Sequence, residues 1–273
     1  MICGTLFLIM KTKIFDTHTH YDDKAYGKSA HELISRILRE DVAGFIAVGC
    51  SMTTVPKSLE IAEKYDNVYA SVGVHPHYAG KLPPDYLDKL EQWTKSPFAK
   101  AVGEIGLDYH YDGRDDAAVR ENQVRIFREQ LVLAAKSGLP VIVHSRDSAH
   151  DTMEILREFR KSSQNRIVMH CYSGSLDMAR ELVKMDVCIS FTGVLTFRNA
   201  RKAAEVCREI PLSHIMLETD CPYMSPEPYR GRICDSSMIT KTAEKVAEIK
   251  GLTVGEVAEV CNKNAEEFFG ISI

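Results

Sequence analysis

The sequence lacks the features that define several protein classes. Its 273 residues include eight cysteines, but no two of them form a C-x-x-C pair and they are scattered along the chain. Scattered cysteines are typical of reduced thiols in the cytosol and not of a disulfide scaffold. No apolar run reaches the roughly 20 residues that a transmembrane helix needs. We therefore expect a cytoplasmic protein with no membrane partner.

An excess of positive charge is also missing. The 34 lysines and arginines are outnumbered by 38 aspartates and glutamates, which gives a net charge of −4. This balance excludes a broad basic face for duplex DNA. A polyanionic substrate would need a compact cationic site, and bound divalent metal would provide one.

The first ten residues, MICGTLFLIM, do not have the pattern of a signal peptide. Lys11 and Lys13 follow the apolar run instead of preceding it, and no small-residue cleavage site is present. We expect residues 1–9 to be a disordered leader, or Met10 to be the natural start. No linker or repeat divides the rest, so we predict a single domain for residues 1–273.

Eight short apolar runs, rich in valine and isoleucine, alternate with longer amphipathic segments. The runs lie at 13–18, 42–49, 68–74, 99–106, 140–144, 166–170, 187–193 and 214–220. Strands that are almost continuously hydrophobic are typical of parallel sheets covered on both faces. Eight βα units in series predict an α/β fold, a (β/α)8 TIM barrel with parallel strands.

The helical segments support the same architecture. The clearest lies at 116–137, and two more, at about 237–250 and 255–269, end the chain. The apolar stripe of the first comprises Phe127, Leu131, Ala134 and Ala135. Gly138 then ends this helix. A doubly wound open sheet is the alternative, but it normally carries a glycine-rich fingerprint after its first strand, where this sequence has D-T-H-T-H.

Side chains that bind metals recur where the predicted strands end, which is where barrel enzymes place their active sites. They are His18, His20, Glu104, His144, His170 and Asp220. His18 and His20 point to the same side because side chains alternate along a strand. A single histidine of this kind is more often a satisfied core group. Burying all six side chains without a cation, however, would be costly.

Four imidazoles and two carboxylates suffice for two divalent ions if one carboxylate bridges them. Mixed nitrogen and oxygen ligation suits zinc, manganese or iron, and tolerates magnesium when substrate oxygens complete the shell. We therefore expect two divalent metal ions (Mg²⁺, Mn²⁺ or Zn²⁺) at the carboxyl-terminal rim of the barrel.

Seven sequence blocks resemble, in order, the signature blocks of the TatD family of metal-dependent deoxyribonucleases, part of the amidohydrolase-like superfamily. They cover nearly the whole chain after Met10. The blocks are D-T-H-T-H (16–20), V-G-V-H-P-H (72–77), A-V-G-E-I-G-L-D-Y (101–109), P-V-I-V-H-S-R-D (140–147), M-H-C-Y-S-G-S (169–175), I-S-F-T-G-V-L-T-F (189–197) and L-E-T-D-C-P-Y (217–223). The resemblance implies a metal-dependent hydrolase of phosphodiester bonds in DNA, an exonuclease on single-stranded ends.

The resemblance also implies how the ligands divide between the two ions. His18, His20 and Asp220 would hold the first ion. The second would be held by His144 and His170, with Glu104 bridging the pair.

The chain departs from the family pattern on the substrate side of the site. Arg230 and Gly231 are kept after Tyr229, but Cys234 and Asp235 stand where the family has Asn-Glu. The resemblance makes Arg230 a substrate-binding candidate.

Further residues beside the blocks suggest roles in catalysis and substrate binding. We expect Asp220 to orient and deprotonate the attacking water while Glu104 joins the two ions. His75 would contact the phosphate or protonate the leaving oxygen. Arg146 would grip a phosphate, because its planar fork fits that group; the alternative is a structural pair with Asp147.

Three tyrosines near the blocks are candidates for stacking on the bases of a single strand. They are Tyr109, Tyr172 and Tyr223. Tyrosines at a barrel rim are as often packing residues, so both roles stay open. The cysteines Cys171 and Cys221 adjoin proposed ligands, and we expect them to be structural, because adjacent strand residues point opposite ways.

Two other functions remain possible from the residues. One fold hosts many reactions, so the same site could hydrolyse another ester or an amide, such as an aminoacyl ester. A nucleic-acid-binding scaffold without catalysis is the third possibility. We expect a monomer that binds DNA, and possibly RNA, at the site.

Overall fold

The computed structural model describes residues 13–110 and 115–273, so the predicted leader at 1–9 lies outside the described residues. The strands are β1 (Ile14–Thr19), β2 (Val42–Val48), β3 (Val68–Val72), β4 (Ala99–Asp108), β5 (Val141–Arg146), β6 (Ile167–Met169), β7 (Val187–Phe191) and β8 (Ile215–Leu217). The α-helices are α1 (Ala30–Glu40), α2 (Thr54–Lys64), α3 (Tyr86–Thr94), α4 (Ala117–Ser137), α5 (Ala149–Ser162), α6 (Leu176–Lys184), α7 (Arg201–Glu209), α8 (Ile239–Lys250) and α9 (Val254–Phe269).

The eight strands form one sheet in the order β1 to β8, and each pairs in parallel with the next. The sheet curls until the segment after β8 meets β1. There Thr19 and Cys221 form a parallel bridge, and the Asp220 amide donates to the carbonyl of His18 at 3.0 Å. The predicted (β/α)8 barrel is confirmed, and the doubly wound alternative is wrong.

Helix α4 illustrates how the sequence determines the elements. The Asp116 side chain accepts hydrogen bonds from the amides of Ala118 and Val119 and so begins the helix. Gly138, with φ of 71°, ends it, as predicted. The predicted apolar stripe is correct at three positions, but Ala135 is exposed. It lies one residue beyond Ala134, and 3.6 residues per turn rotate it past the edge of the buried face.

Two side-chain clamps hold β1 against the chain around β8 at the carboxyl end of the barrel. The buried Asp16 carboxylate accepts hydrogen bonds from the amide of Thr219 at 2.9 Å and from its hydroxyl at 2.6 Å. The hydroxyl of Thr17 donates to the carbonyl of Leu217 at 3.0 Å. Side-chain hydrogen bonds thus help to close the barrel between β1 and β8, where few backbone hydrogen bonds join the two strands.

Helix α9 seals the amino-terminal end of the barrel. Its residues Phe268 and Phe269 are buried against the inward-facing side chains of the strands, among them Phe15, Ile142 and Met216. These residues form one continuous apolar cluster. The end of the barrel that lies opposite the metal-type side chains is therefore a packed apolar floor.

Two asparagines of α9 complete the hydrogen bonds of the strands at this floor. The Asn262 side chain accepts from the amide of Phe15 at 2.9 Å and donates to the carbonyl of Lys13 at 2.8 Å. Asn264 donates to the carbonyls of Leu212 and Ile215, at 2.9 and 2.8 Å. Backbone groups at the starts of β1 and β8 are thereby satisfied by one helix.

Within residues 13–110 and 115–273, no helix combines the length and the apolar character that crossing a bilayer requires.

Candidate metal centre

The six predicted metal ligands meet at the carboxyl end of the barrel, with Glu104 at their centre. Its Oε1 lies 2.8 Å from Nδ1 of His144 and 3.0 Å from Nε2 of His170. Its Oε2 lies 3.4 Å from Nε2 of His18. Because its two oxygens face histidines from different strands, Glu104 has the geometry of a bridging carboxylate.

Asp220 joins the last strand to the paired histidines of the first. Its Oδ1 lies 3.3 Å from Nε2 of His20 and 3.8 Å from Nε2 of His18. The backbone of Asp220 is in the left-handed region, with φ of 57°, a conformation that aspartate tolerates better than most residues. This bend turns the carboxylate toward the histidines of β1.

His18 is the clearest sign that a cation belongs in this centre. Its side chain is fully buried, and neither ring nitrogen has a hydrogen-bond partner among the described residues. A buried polar group without a partner is costly. Burial lowers the pKa of His18, which favours the neutral imidazole that metal ligation requires. A divalent ion near Nε2, next to Glu104 and Asp220, would satisfy that nitrogen.

Two further carboxylates orient the histidines of the second half of the site. Oε1 of Glu218 lies 3.1 Å from Nδ1 of His170, and Oδ2 of Asp108 lies 3.1 Å from Nε2 of His144. In each ring the other nitrogen faces Glu104. This carboxylate–histidine arrangement is typical of metal sites, because the second carboxylate fixes the tautomer and the ring orientation.

The sequence reasoning missed both orienting residues, although the alternation of side chains could have found them. Asp108 lies on the same strand as Glu104, an even number of residues further on, and Glu218 lies two residues before Asp220. Residues at even spacing on an extended chain point to the same side. Both acids were therefore candidates for the rim.

The carboxylates of the centre are held in their ionised form. Burial favours the neutral form of Glu104, but the neighbouring charge of His170 and the hydrogen bonds with His144 and His170 outweigh burial and lower its pKa well below the usual value. Asp220 is also buried, yet its hydrogen bond with His20 and the nearby imidazoles lower its pKa. Both side chains are anionic at neutral pH, as metal ligands must be.

Cys50 also reaches the centre, although the sequence did not single it out. Its Sγ lies 3.5 Å from Oε2 of Glu104 and 3.8 Å from Nδ1 of His20. Burial raises the pKa of the Cys50 thiol to about 12, so it is protonated at neutral pH. Cys171, which we expected to be structural, lies 3.7 Å from the Thr192 hydroxyl.

His75 is next to the centre and in its neutral form. Burial lowers its pKa to about 3. Its Nδ1 accepts a hydrogen bond from the amide of His77 at 3.2 Å, so the ring proton lies on Nε2, which is 3.7 Å from Oε1 of Glu104. The two roles expected of His75, contact with the phosphate or protonation of the leaving oxygen, stay predictions. The neutral ring can donate a hydrogen bond from Nε2 to a phosphate.

A cavity of about 720 Å³ opens over the metal-type side chains. Arg146, exposed at the end of β5, and Tyr223, 51% exposed, line it together with Met224. The Tyr223 hydroxyl donates to Asp23 at 2.9 Å, which holds the ring at the mouth. Arg146 and Tyr223 therefore both lie at the cavity surface, and their roles in substrate binding stay predictions.

Tyr109 is not available, which corrects its prediction as a substrate-binding residue. It is 5% exposed, its hydroxyl donates to Asp151 at 2.7 Å, and the Arg120 guanidinium lies 4.7 Å from its ring centre. The reason is again alternation: Tyr109 follows Asp108 directly, and adjacent strand residues face opposite sides. Tyr172 is also buried, with its hydroxyl on the carbonyl of Ser175 at 2.7 Å.

Arg230 and the departing residues lie apart from the cavity. The exposed Arg230 guanidinium packs 4.4 Å from the ring centre of Phe197. Arg230 is not one of the described residues that line the cavity over the proposed ligands. The Tyr26 hydroxyl donates a hydrogen bond to the backbone carbonyl of the buried Cys234. The Asp235 side chain accepts from the amide of Ser237. Both departing residues thus have structural partners.

Comparisons with known proteins agree with this geometry. Residues 15–270 match the family model described as TatD related DNase. The Bacillus subtilis (strain 168) protein named uncharacterized metal-dependent hydrolase YabD is 37% identical over 259 residues, which are 95% of this chain and 100% of the relative. The uncharacterized metal-dependent hydrolase YcfH of Escherichia coli (strain K12) is 32% identical over 261 residues, 94% of this chain and 96% of the relative.

Solved structures are similar as well. The crystal structure of YJJV, a TatD homolog from Escherichia coli K12, superposes with a TM-score of 0.88 at 28% identity, and covers 96% of this chain and 99% of its own. The family match extends over nearly the whole chain, and it includes every strand that carries a metal-type side chain. The chain therefore belongs to the TatD family, whose curated relatives named here are described as metal-dependent hydrolases.

Proposed function

We propose that this chain hydrolyses phosphodiester bonds in DNA with the help of two divalent metal ions, and that it removes nucleotides from single-stranded ends. The bridging position of Glu104 carries the proposal. Nitrogens of His18 on β1, of His144 on β5 and of His170 directly after β6 lie within 3.4 Å of its two oxygens. One carboxylate between two groups of histidines is the arrangement that a metal pair needs, and metal pairs are common in enzymes that cleave phosphodiesters.

The proposed ligand sets follow from the same geometry. His18, His20 and Asp220 would hold one ion, and His144 and His170 the other, with Glu104 shared. Bound Mg²⁺, Mn²⁺ or Zn²⁺ would supply positive charge that polarises the phosphate and makes water more acidic. The family's metal-dependent relatives support the presence of metal.

The residues of the chain have distinct tasks in this proposal. The ionised Asp220 accepts the proton of the water that attacks phosphorus. The Arg146 guanidinium binds a non-bridging phosphate oxygen, for which its planar fork is suited. The neutral His75 donates its Nε2 proton in a hydrogen bond to the phosphate. Tyr223 gives a base a surface for stacking at the cavity mouth, a contact that tolerates every base.

Another hydrolytic reaction at the same centre is the main rival. The barrel and a metal pair would also serve the hydrolysis of an aminoacyl ester or an amide. Local charge favours the nuclease, because the exposed Arg146 at the cavity wall matches a phosphate group. A scaffold without catalysis is disfavoured by the unpartnered nitrogens of the buried His18, which a purely structural centre would leave unsatisfied.

The test compares substrates and metals in one assay. Metal-stripped protein is incubated with end-labelled single-stranded DNA, single-stranded RNA and an aminoacyl ester, each with Mg²⁺, Mn²⁺, Zn²⁺ or no metal. We expect release of single nucleotides from the DNA only when metal is added. The matched control is Glu104→Gln, which keeps the shape of the side chain but removes its charge, and which we expect to be inactive.

Each outcome separates the candidate functions. Hydrolysis of the aminoacyl ester without hydrolysis of DNA would replace the nuclease by the rival reaction. Binding of DNA without turnover under every metal would support the scaffold. Cleavage of DNA that does not depend on metal, or that survives in Glu104→Gln, would contradict the proposed centre.

A further inference from the structure

A second cavity, of about 250 Å³, opens directly beside the metal centre. We call it the side cavity. It shares His144, Arg146, His170, Asp220 and Met224 with the larger cavity, so the two meet at the proposed ligands. Its volume is below the roughly 300–1,000 Å³ of sites for drug-sized ligands. It therefore suits a single small ring system and not a stacked pair of bases.

The far wall of the side cavity is apolar. Phe191, Leu195, Val194 and Ala203 line it, and the first two are almost completely buried. Sites for small ligands are typically clefts with apolar walls and a few convergent polar groups, and the side cavity combines both kinds of wall. One wall suits a flat apolar group and the other suits a phosphate.

Hydrogen bonds and close backbone contacts join the two loops that form the walls. The Thr192 side chain accepts from the amide of Val194 at 3.2 Å, and the Thr196 hydroxyl accepts from the amide of Glu227 at 2.8 Å. A Cβ at Gly193 would overlap the carbonyl oxygen of Met224 and would lie 2.7 Å from the nitrogen of Pro226. The loops after β7 and β8 are thus in backbone contact, which fixes the side cavity between them.

We infer that the side cavity binds the unpaired terminal base of the DNA strand while the adjoining phosphate lies at the metal centre and Arg146. This inference rests on the proposed nuclease function. The apolar wall contacts the flat faces of the base, a contact that does not depend on sequence. A paired or stacked base would first have to leave its neighbours. The side cavity therefore predicts a preference for single-stranded ends and removal of one nucleotide at a time.

The inference is tested by filling the side cavity from α7. Ala203→Phe adds a ring at a half-buried position, and Ala203→Met adds a smaller, flexible side chain in case the first variant folds poorly. The matched control, Glu205→Phe, adds the same ring to an exposed position of α7 that does not line the side cavity. Circular dichroism and melting curves verify that each variant is folded.

Two end-labelled single strands are the substrates, one with a normal terminal nucleotide and one with a terminal abasic residue. For the wild type we expect kcat/KM to be at least about tenfold higher on the normal end, the order expected for one base contact. Ala203→Phe should lower kcat/KM on the normal end to the abasic value and leave the abasic value unchanged. Ala203→Met should lie between, and Glu205→Phe should match the wild type.

A binding measurement separates this inference from the proposed function. We expect calorimetry with Zn²⁺-loaded wild type to give at least about tenfold tighter binding of dAMP than of deoxyribose 5-phosphate, and no such difference for Ala203→Phe. If that holds but no DNA is cleaved, the nuclease proposal fails and the base site stands. If DNA is cleaved but normal and abasic ends react equally, or folded Ala203→Phe slows both equally, the base site is overturned.

Discussion

The two ends of the barrel are built in opposite ways. At the carboxyl end, charged and polar side chains converge, and the two ring nitrogens of His18 have no hydrogen-bond partner among the described residues. At the amino end, α9 closes the barrel with Phe268 and Phe269, and Asn262 satisfies the backbone of β1. The same eight strands thus support an unsatisfied polar end and a fully packed apolar end.

The difference indicates that the apolar floor stabilises the fold, whereas the polar rim carries the groups for chemistry. Buried charges without a cation destabilise a fold, whereas apolar burial stabilises it by about 25 cal/mol per Å². Apolar burial at the floor therefore offsets the free-energy cost of burying charged side chains at the rim. Variants at the rim should change activity and leave the fold intact, and variants at the floor should do the reverse.

The largest expected effect is at the rim. In Asp220→Asn we expect kcat on single-stranded DNA to fall by roughly 10²–10⁴-fold, the usual contribution of a positioned general base. Asparagine also tolerates the left-handed backbone at this position, so the melting temperature should change by only a few degrees. A rate close to wild type would remove Asp220 from the role of base, and a collapsed fold would remove the contrast between the two ends.

At the floor, Phe268→Ala should destabilise the protein by about 3–5 kcal/mol, because the floor loses a buried ring and gains a cavity. Denaturant unfolding measures the loss. The rate per folded molecule should equal that of the wild type. Leu252→Ala, at a position that is 38% exposed, is the control and should cost far less. A large drop in kcat for folded Phe268→Ala would mean that the two ends are coupled.

Bound metal should stabilise the protein through the ligands at the rim and not through the floor. At a metal concentration of 100 times Kd we expect the free energy of unfolding to rise by about 2.7 kcal/mol, since the ion binds the folded state only. Thermal melts with and without Zn²⁺ or Mn²⁺, after chelation, measure this gain. Glu104→Gln should lose most of it, whereas Phe268→Ala should keep it. An equal gain in Glu104→Gln would show that the metal binds elsewhere.

The smallest expected effect concerns the polar contacts of the floor. Asn262→Ala leaves the amide of Phe15 and the carbonyl of Lys13 without their partner, which should cost about 1–3 kcal/mol. Chemical denaturation is the measurement, and activity should not change. Lys263→Ala, on the same helix with its side chain 72% exposed, should be nearly neutral. If both variants cost the same, the hydrogen bonds of Asn262 are not what secures β1.

The fold was predictable because each strand is a short run of branched apolar residues and each run ends near a polar residue. His144 and His170 could be placed at one rim from this pattern alone, since parallel strands in a barrel end on the same side. Counting ligands required one bridging carboxylate, but the resemblance to the TatD family was needed to assign that position to Glu104. The placement of the two histidines depends only on periodicity and on strand direction.

The remaining features depend on contacts between distant residues. The side cavity lies between the loops after β7 and β8. These loops meet only in the folded chain, so no local sequence pattern predicts their contact. The pKa of His75 depends on how deeply the other strands bury it. Tyr109 was misplaced for a simpler reason, because the alternation that places Glu104 at the rim was not carried on to the end of β4.

The clamp between Asp16 and Thr219 has a consequence for how the protein is made. Synthesis runs from the amino end, so the ribosome has released the paired histidines of β1 long before Asp220 and α9 emerge. A nascent or truncated chain can offer only part of the coordination sphere. A metal held by the proposed ligands would therefore be fully coordinated only after nearly the whole chain has been translated.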